Sequence, residues 1–198
     1  GVSTILGTTG SFPAGIVIDA AGNVYTANIG SDNVSKITRA GVSTILGTTG
    51  SFPHGIVIDA AGNIYTANSN SDNVTKITPA GVSTILGTTR SRPKGIAIDA
   101  AGNIYTGNAD SDNVSKITPD GVSTIFGATG DNPNGIAIDA GGNVYTANRR
   151  SDDVSKITPA GVSTILGTTG SYPVDIVVDA AGKIYTANSV SNNVSKIT

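Results

Sequence analysis

The sequence predicts an all-β protein built from five consecutive copies of one four-stranded antiparallel unit. The pentapeptide GVSTI recurs every 40 residues along the 198-residue chain, at Gly1, Gly41, Gly81, Gly121 and Gly161. Each unit holds four short runs of β-branched and apolar residues separated by turn residues. No window has the length or the period of an amphipathic helix. These three observations favour a repeated β-sheet over any mixed fold.

Four strands are predicted in each unit. GIVID (15–19) is apolar almost throughout, which predicts a strand buried on both faces. NVYTAN (23–28) carries Val, Tyr and Thr, which favour strands, and VSKIT (34–38) mixes polar with apolar residues. VSTIL (42–46) is rich in β-branched residues and is followed by Gly-Thr, which predicts a loop.

Tight turns join these strands. Asp19-Ala20-Ala21-Gly22 places Asp first and Gly fourth, the pattern of a type I turn that ends in a left-handed residue. Thr78-Pro79-Ala80-Gly81 repeats the pattern, with Pro fixing φ at the second position. Such turns predict an antiparallel meander of about 40 residues, the size of one blade of a β-propeller.

One such sheet cannot bury both of its faces, but five arranged radially can cover one another. The sequence therefore predicts a single domain over residues 1–198, a closed five-bladed propeller with repeats 1–40, 41–80, 81–120, 121–160 and 161–198. The chain starts with a VSTIL strand and ends with VSKIT. We expect Val2–Leu6 to complete the last blade as its fourth strand, a three-plus-one closure that gives a compact monomer.

Composition excludes several classes of function. Charged residues are 13% of the chain and the net charge is -2, which argues against nucleic acid or membrane partners. No cysteine is present, and only one histidine, so disulfides and zinc sites of several Cys or His are excluded. Met, Trp, Glu and Gln are also missing. Copying of one short unit explains these gaps, either by recent amplification or by design.

The repeated pattern resembles a known family. P-x-G-I-V-I-D-A-A-G-N-I-Y-T-A-N followed by S-D-N-V-S-K-I-T-P-A-G-V-S-T-I-L is similar to the NHL repeat, over the whole chain. YTAN-x-x-SDNVSKI also resembles the YVTN-type repeats of bacterial and archaeal surface proteins, which weakly favours an extracellular or cell-surface location. Both resemblances imply a β-propeller, although NHL propellers usually have six blades. Some related propellers are lyases or gluconolactonase-like hydrolases with a metal at the channel mouth. Their sites rely on Glu and His, so those catalytic residues cannot be carried over.

Two positions of the unit vary between copies and are predicted at one end of the molecule. The first precedes the GIVID strand and should ring the mouth of the central channel: Ala14, His54, Lys94, Asn134 and Val174. The second is the loop after YTAN, which includes Asp110, Arg149 and Arg150. Loops on a rigid scaffold commonly carry function, but surface tolerance also explains the variation and is the more economical interpretation.

Charge concentrates in the same region. Arg90, Arg92 and Lys94 share one loop, with Asp110 expected beside it and Arg149 and Arg150 on the next blade. This group predicts binding of a carboxylate, a phosphate or an acidic peptide, with a solvated loop as the simpler interpretation. Phe12, Phe52 and Tyr172 are expected either to stack on a sugar or peptide or to cover blade seams.

The residues that recur in all five units are expected to be structural. Asp19 and its equivalents should cap their turns, Tyr25 and its equivalents should pack between blades, and Asn28 should bridge to the backbone of the following loop. We therefore expect a non-catalytic symmetric scaffold that binds protein, peptide, glycan or a small anion without a cofactor, or a propeller with no evolved ligand. The alternative, which the resemblance implies, is a gluconolactonase-like hydrolase or lyase that uses a metal at the channel mouth, in which His54 could act as a base or as one metal ligand.

Overall fold

A computed structural model describes all 198 residues, and it contains 19 β-strands. The strands form five antiparallel sheets, here called blades, whose strands follow chain order; each blade takes its first three strands from one repeat, and blades 1 to 4 take their fourth from the start of the next. The strands are β1 Pro13–Ile18, β2 Val24–Asn28, β3 Asn33–Ile37 and β4 Ser43–Thr48 in blade 1; β5 Pro53–Ile58, β6 Ile64–Asn68, β7 Asn73–Ile77 and β8 Ser83–Thr88 in blade 2; β9 Pro93–Ile98, β10 Ile104–Asn108, β11 Asn113–Ile117 and β12 Ser123–Ala128 in blade 3; β13 Pro133–Ile138, β14 Val144–Asn148, β15 Asp153–Ile157 and β16 Ser163–Thr168 in blade 4; β17 Pro173–Val178, β18 Ile184–Asn188 and β19 Asn193–Ile197 in blade 5.

The core lies between consecutive blades. Tyr25, Ala27 and Val34 of blade 1 pack against Ile56, Ile64 and Ile77 of blade 2, and the same set of positions recurs at each later junction. Each blade therefore has a trailing face, of the Tyr25 type, and a leading face, of the Ile56 type. This packing confirms the prediction that the repeated tyrosines lie between blades.

Burial along the strands corrects one prediction. The second strand of each inner blade, not the first, is buried throughout, as in β6, β10 and β14. The first strand is only half-buried, because one edge of it borders the central channel. The apolar run GIVID thus marks the innermost strand, but it does not mark a strand covered on both sides.

The fourth strand is longer than predicted. It runs from Ser43 to Thr48 and includes the Gly-Thr pair that was expected to form a loop. A β-bulge makes this possible, since Val34 pairs with Gly47 and Ser35 with Ile45, which leaves Leu46 as an extra residue.

The predicted closure is absent from the structure. Blade 5 has three strands, and residues 2–6 form none, with Val2 95% exposed. The innermost strands of successive blades contact each other from β1 through β17, whereas β17 makes no comparable contact with β1. The two end faces are consequently open: Ile16 is 69% exposed although its equivalent Ile56 is 6% exposed, and Val194 is 69% exposed. The coarser prediction of an all-β array of repeated antiparallel blades is confirmed.

Candidate functional site

Five innermost strands line one cavity of about 310 Å³ at the predicted variable end. Ala14, His54, Lys94, Asn134 and Val174 all lie on its wall, one from each blade. We call this surface the channel mouth. The structure thereby brings together the five residues that were predicted to ring the channel.

A β-bulge aims these residues into the channel mouth. In blade 1, Pro13 pairs with Asn28 and Gly15 pairs with Ala27, so Ala14 is an extra residue with no partner on β2. The same register shift occurs in the first strand of every other blade. Bulges re-aim side chains and are common beside active sites. The bulge is not predictable from the sequence, because the proline and glycine on either side of it also suit an ordinary turn.

Glycine next to the bulge lets the innermost strands approach closely. A Cβ placed on Gly15 would lie 2.7 Å from the carbonyl oxygen of His54, and one on Gly55 would lie 2.5 Å from that of Lys94. No real Cβ tolerates such contacts with backbone, so these positions require glycine. Because the strands approach so closely, His54 and Lys94, which lie on adjacent innermost strands, line the same cavity.

Asp175 is the channel-mouth residue that the sequence analysis missed. It occupies the position of Gly15, Gly55, Gly95 and Gly135 in blade 5, lines the same cavity and is exposed. Its Oδ1 accepts a hydrogen bond from the N–H of Ile176 at 2.9 Å. The sequence signal for Asp175 is that it replaces a glycine which the other four repeats share, one position after the variable residue.

Lys94 is buried in the channel mouth without a partner. It is 8% exposed, and its ammonium group makes no hydrogen bond or salt bridge within the chain. Burial lowers the pKa of Lys94, and the charges of Arg92, Arg149 and Arg150 lower it further, against the opposing effect of Asp110.

His54 is a neutral imidazole at pH 7. Burial lowers its pKa from the usual 6.5, and the positive charges of Lys94 and Arg92 lower it further. No hydrogen bond within the chain occupies either ring nitrogen. A neutral imidazole with a free nitrogen is a competent base in an electropositive setting.

The predicted charged group divides in the structure. Arg92 pairs with Asp110 at 3.1 Å, which confirms that these two loops adjoin, and Arg150 lies 3.9 Å from Asp131. Arg149 lies over the ring of Tyr172 at 4.8 Å. Arg90 lies apart, in a separate groove where its N–H donates to Ser115 Oγ at 3.3 Å.

The recurring polar residues are structural, with one correction. Oδ1 of Asp19 accepts hydrogen bonds from the N–H groups of Ala21 and Asn23, so the prediction of turn capping is confirmed. Asn28 is buried and bonds to the side chains of Thr26, Asn33 and Ser35. The prediction that Asn28 bridges to the loop backbone was wrong, because neighbouring polar side chains already take up the hydrogen bonds of its side-chain amide.

The residues at the channel mouth do not fit a metal centre. The metal that the resemblance implies needs several oxygen or imidazole ligands. No group of three His or Asp side chains is placed to hold an ion. His54 and Asp175 are accompanied there by an ammonium group, which repels a cation.

A family model describes the chain from residue 2 to residue 197, and its family is the virginiamycin B lyase family. The chain belongs to that family. No curated protein matches it. No helix in the structure has the length and hydropathy needed to cross a membrane.

Solved structures resemble this family member in fold. Virginiamycin B lyase from Staphylococcus aureus matches with a TM-score of 0.80 at 18% identity, over 95% of this chain and 70% of that one. A catalytically inactive histidine-to-alanine variant of that enzyme with quinupristin matches with a TM-score of 0.78 at 19% identity, over 96% and 70%. A nidogen/laminin complex matches with a TM-score of 0.78 at 22% identity, over 93% and 74%. These likenesses support the β-propeller repeat fold, whereas they do not single out the NHL type.

Family membership overturns the prediction of a non-catalytic scaffold. The family is one of lyases. The scarcity of Glu and His excludes a particular kind of metal site, but it does not exclude elimination, in which a single histidine can act as the general base.

Proposed function

We propose that the chain is a lyase whose active site is the channel mouth, with His54 as the general base. The observation that carries the proposal is the position of His54 on the cavity wall beside Lys94, in a chain of a lyase family. A lyase breaks a bond by elimination. It needs a group that removes a proton and an environment that favours the negative charge left behind.

The channel mouth can supply both requirements. Neutral His54 would remove a proton from a carbon next to a carbonyl group of the substrate. The electron pair of that C–H bond would form a carbon–carbon double bond, and the leaving group would depart with the pair of its own bond. Burial, together with the positive charges of Lys94 and Arg92, lowers the pKa of His54 and so favours its neutral form, and the same charges would stabilise the developing anion.

Product masses test this chemistry. Purified protein is incubated with virginiamycin B and with quinupristin, and products are measured by mass spectrometry. Elimination leaves the summed product mass equal to that of the substrate, whereas hydrolysis adds one water. We expect elimination, with kcat reduced about 10²- to 10⁴-fold in His54→Asn, the usual contribution of a general base.

Asparagine is the matched replacement, because blade 4 carries Asn134 at the same position and folds with it. Lys183→Asn serves as the control variant. It changes a residue at the opposite end of blade 5 to the one that the other four blades carry. Turnover that is unchanged in His54→Asn, or products heavier by one water, would contradict the proposal.

We also propose that the repeats are of the NHL type and that the ring closes through the N-terminal segment. Gly7 already lies against Ile37 and Ser43 of blade 1 as Gly47 lies against Ile77 and Ser83 of blade 2. Pairing of residues 3–8 with β19 would supply the missing fourth strand of blade 5. It would also cover apolar side chains that contribute about 1.5–3 kcal/mol each when fully buried.

A further inference from the structure

The side of the channel mouth formed by blades 3 and 4 carries an excess of positive charge. Lys94 of blade 3 lines the channel mouth. After burial, the charges of Arg92 of blade 3 and of Arg149 and Arg150 of blade 4 lower the pKa of Lys94, so these cations lie near it. Two carboxylates, Asp110 and Asp131, pair with two of these cations. Lys94 and Arg149 are therefore left without an anionic partner within the chain, and Arg149 lies over the ring of Tyr172.

One unpaired charge stands in a largely enclosed position. Lys94 lines the channel mouth and is 8% exposed as a residue, and its ammonium group has no partner within the chain. A cation that gives up part of its hydration without gaining a partner costs free energy. Such an arrangement is favourable when a bound anion supplies the missing acceptors.

Lys94 has no role in the framework of the blades. Five other lysines lie over the tyrosine ring of their own blade, with Nζ 5.6–6.0 Å from the ring centroid: Lys36, Lys76, Lys116, Lys156 and Lys196. Lys183 belongs to a turn at the other end of the molecule. The equivalents of Lys94 in the other blades are uncharged or titratable residues of different size, so packing does not require a lysine.

We propose that the channel mouth binds a carboxylate or phosphate group, with Lys94 Nζ as its partner. The cavity of about 310 Å³ is large enough for one such group and the first atoms attached to it. The inference rests on the proposed function only in naming this group as part of the substrate. Anion binding itself needs no turnover.

Inorganic phosphate and succinate are the two probes, because they separate a phosphate site from a carboxylate site. Thermal unfolding is followed with each anion against sodium chloride at equal ionic strength. We expect a saturable rise in Tm for at least one probe, since a ligand that binds the folded state stabilises it. The pKa of Lys94, followed by NMR of its Cε, should rise on binding because the anion favours the charged ammonium.

Two variants make the test specific. Lys94→Asn inserts the residue that blade 4 carries at this position, and we expect it to weaken anion binding at least about tenfold. Lys183→Asn removes the same charge at the opposite end and should leave binding within about twofold. A stabilisation that is absent, unsaturable or equal in Lys94→Asn would overturn the proposal.

The outcomes also separate this proposal from the lyase. Anion binding that depends on Lys94, without any elimination that depends on His54, would leave the anion site standing and reject the lyase. The opposite outcome is elimination on a neutral substrate that neither phosphate nor succinate inhibits, with kcat and KM unchanged in Lys94→Asn. That outcome would reject the anion site and leave the lyase standing.

Discussion

A single carboxylate organises each predicted turn. Oδ1 of Asp19 accepts the N–H groups of Ala21 and Asn23, and Oδ2 accepts the side-chain amide of Asn23 and the hydroxyl of Tyr25. The sequence identified the cap from the Asp and Gly alone. It did not identify the tyrosine hydroxyl as a partner, because a partner six residues away is reached only after the two strands have paired.

These networks set the pH range of stability. The hydrogen bonds from Asn23 lower the pKa of Asp19 to about 2, against the opposing effect of desolvation. Desolvation and the bond to Asp19 raise the pKa of Tyr25 to about 12. The lowered carboxyl pKa gives stability that is present above the unfolded value near 3.8 and is lost as the pH falls toward 2. The raised tyrosine pKa gives stability that is present below 10 and is lost as the pH rises toward 12.

We expect the contribution of these networks to the free energy of unfolding to be nearly constant between about pH 4 and pH 10 and to fall on both sides of that range. Tyr65→Phe should lower it by about 1 kcal/mol on the plateau, the usual net value of one hydrogen bond, and should weaken the alkaline fall. Denaturant unfolding at a series of pH values measures both. Tyr172→Phe is the control, because the hydroxyl of Tyr172 has no carboxylate partner and its backbone N–H, which donates to Asp152 Oδ1, is kept in the variant. Equal effects of the two variants would contradict the assignment.

At the scale of the strand, glycine decides how closely the blades approach at the channel. A Cβ on Gly95 would lie 2.4 Å from the carbonyl oxygen of Asn134, and one on Gly135 would lie 2.7 Å from Cα of Asp175. The sequence shows the repeated glycine. Only the assembled sheets show that it faces the backbone of the next blade and does not form part of a turn.

Gly95→Ala should therefore destabilise the protein by about 1–3 kcal/mol, the usual cost of an overpacked contact. Gly141→Ala is the matched control, since the other four blades carry alanine at this position and the nearest atoms, at 3.3 Å, belong to side chains. It should be neutral or stabilising by up to about 1 kcal/mol, because alanine restricts the unfolded chain. Thermal or denaturant unfolding measures both changes. A Gly95→Ala variant as stable as Gly141→Ala would show that the strands are further apart.

At the scale of the whole molecule, the open question is what covers the two end faces. Blades 1 to 4 each hold the next blade through an aspartate; for example, Oδ1 of Asp32 accepts the N–H of Phe52 at 2.8 Å. Blade 5 carries Asn192 at that position and Asp175 in place of the close-contact glycine. The junction after blade 5 therefore differs from the others, and a closed ring would be wider there at its inner edge.

Cysteine pairs test closure directly, because the chain has no cysteine of its own. Lys36 pairs with Thr44 in blade 1, so the equivalent closing pair is Lys196 with Thr4. We expect the double variant Thr4→Cys and Lys196→Cys to form a disulfide within a monomer under mild oxidation. Non-reducing electrophoresis and light scattering identify it.

The variant Lys36→Cys with Thr44→Cys is the positive control for a pair already in register. A disulfide-linked dimer would show that a second copy covers the end faces. Failure of the closing pair to oxidise, while the control pair does, would show that the ring stays open. Either result would reject intramolecular closure.

The sequence determined the repeat, the strand order, the turns and the end of the molecule where the variable residues meet, because these depend on local propensity and on strand direction. The lengths of β4 and of the innermost strands could not be predicted from the sequence, because β-bulges appear only when a second strand is paired. The catalytic potential of the channel mouth could not be predicted either. Burial of Lys94 beside His54 comes from five separate strands that meet around one channel, and no spacing within a 40-residue repeat encodes the electrostatic environment made by its neighbours.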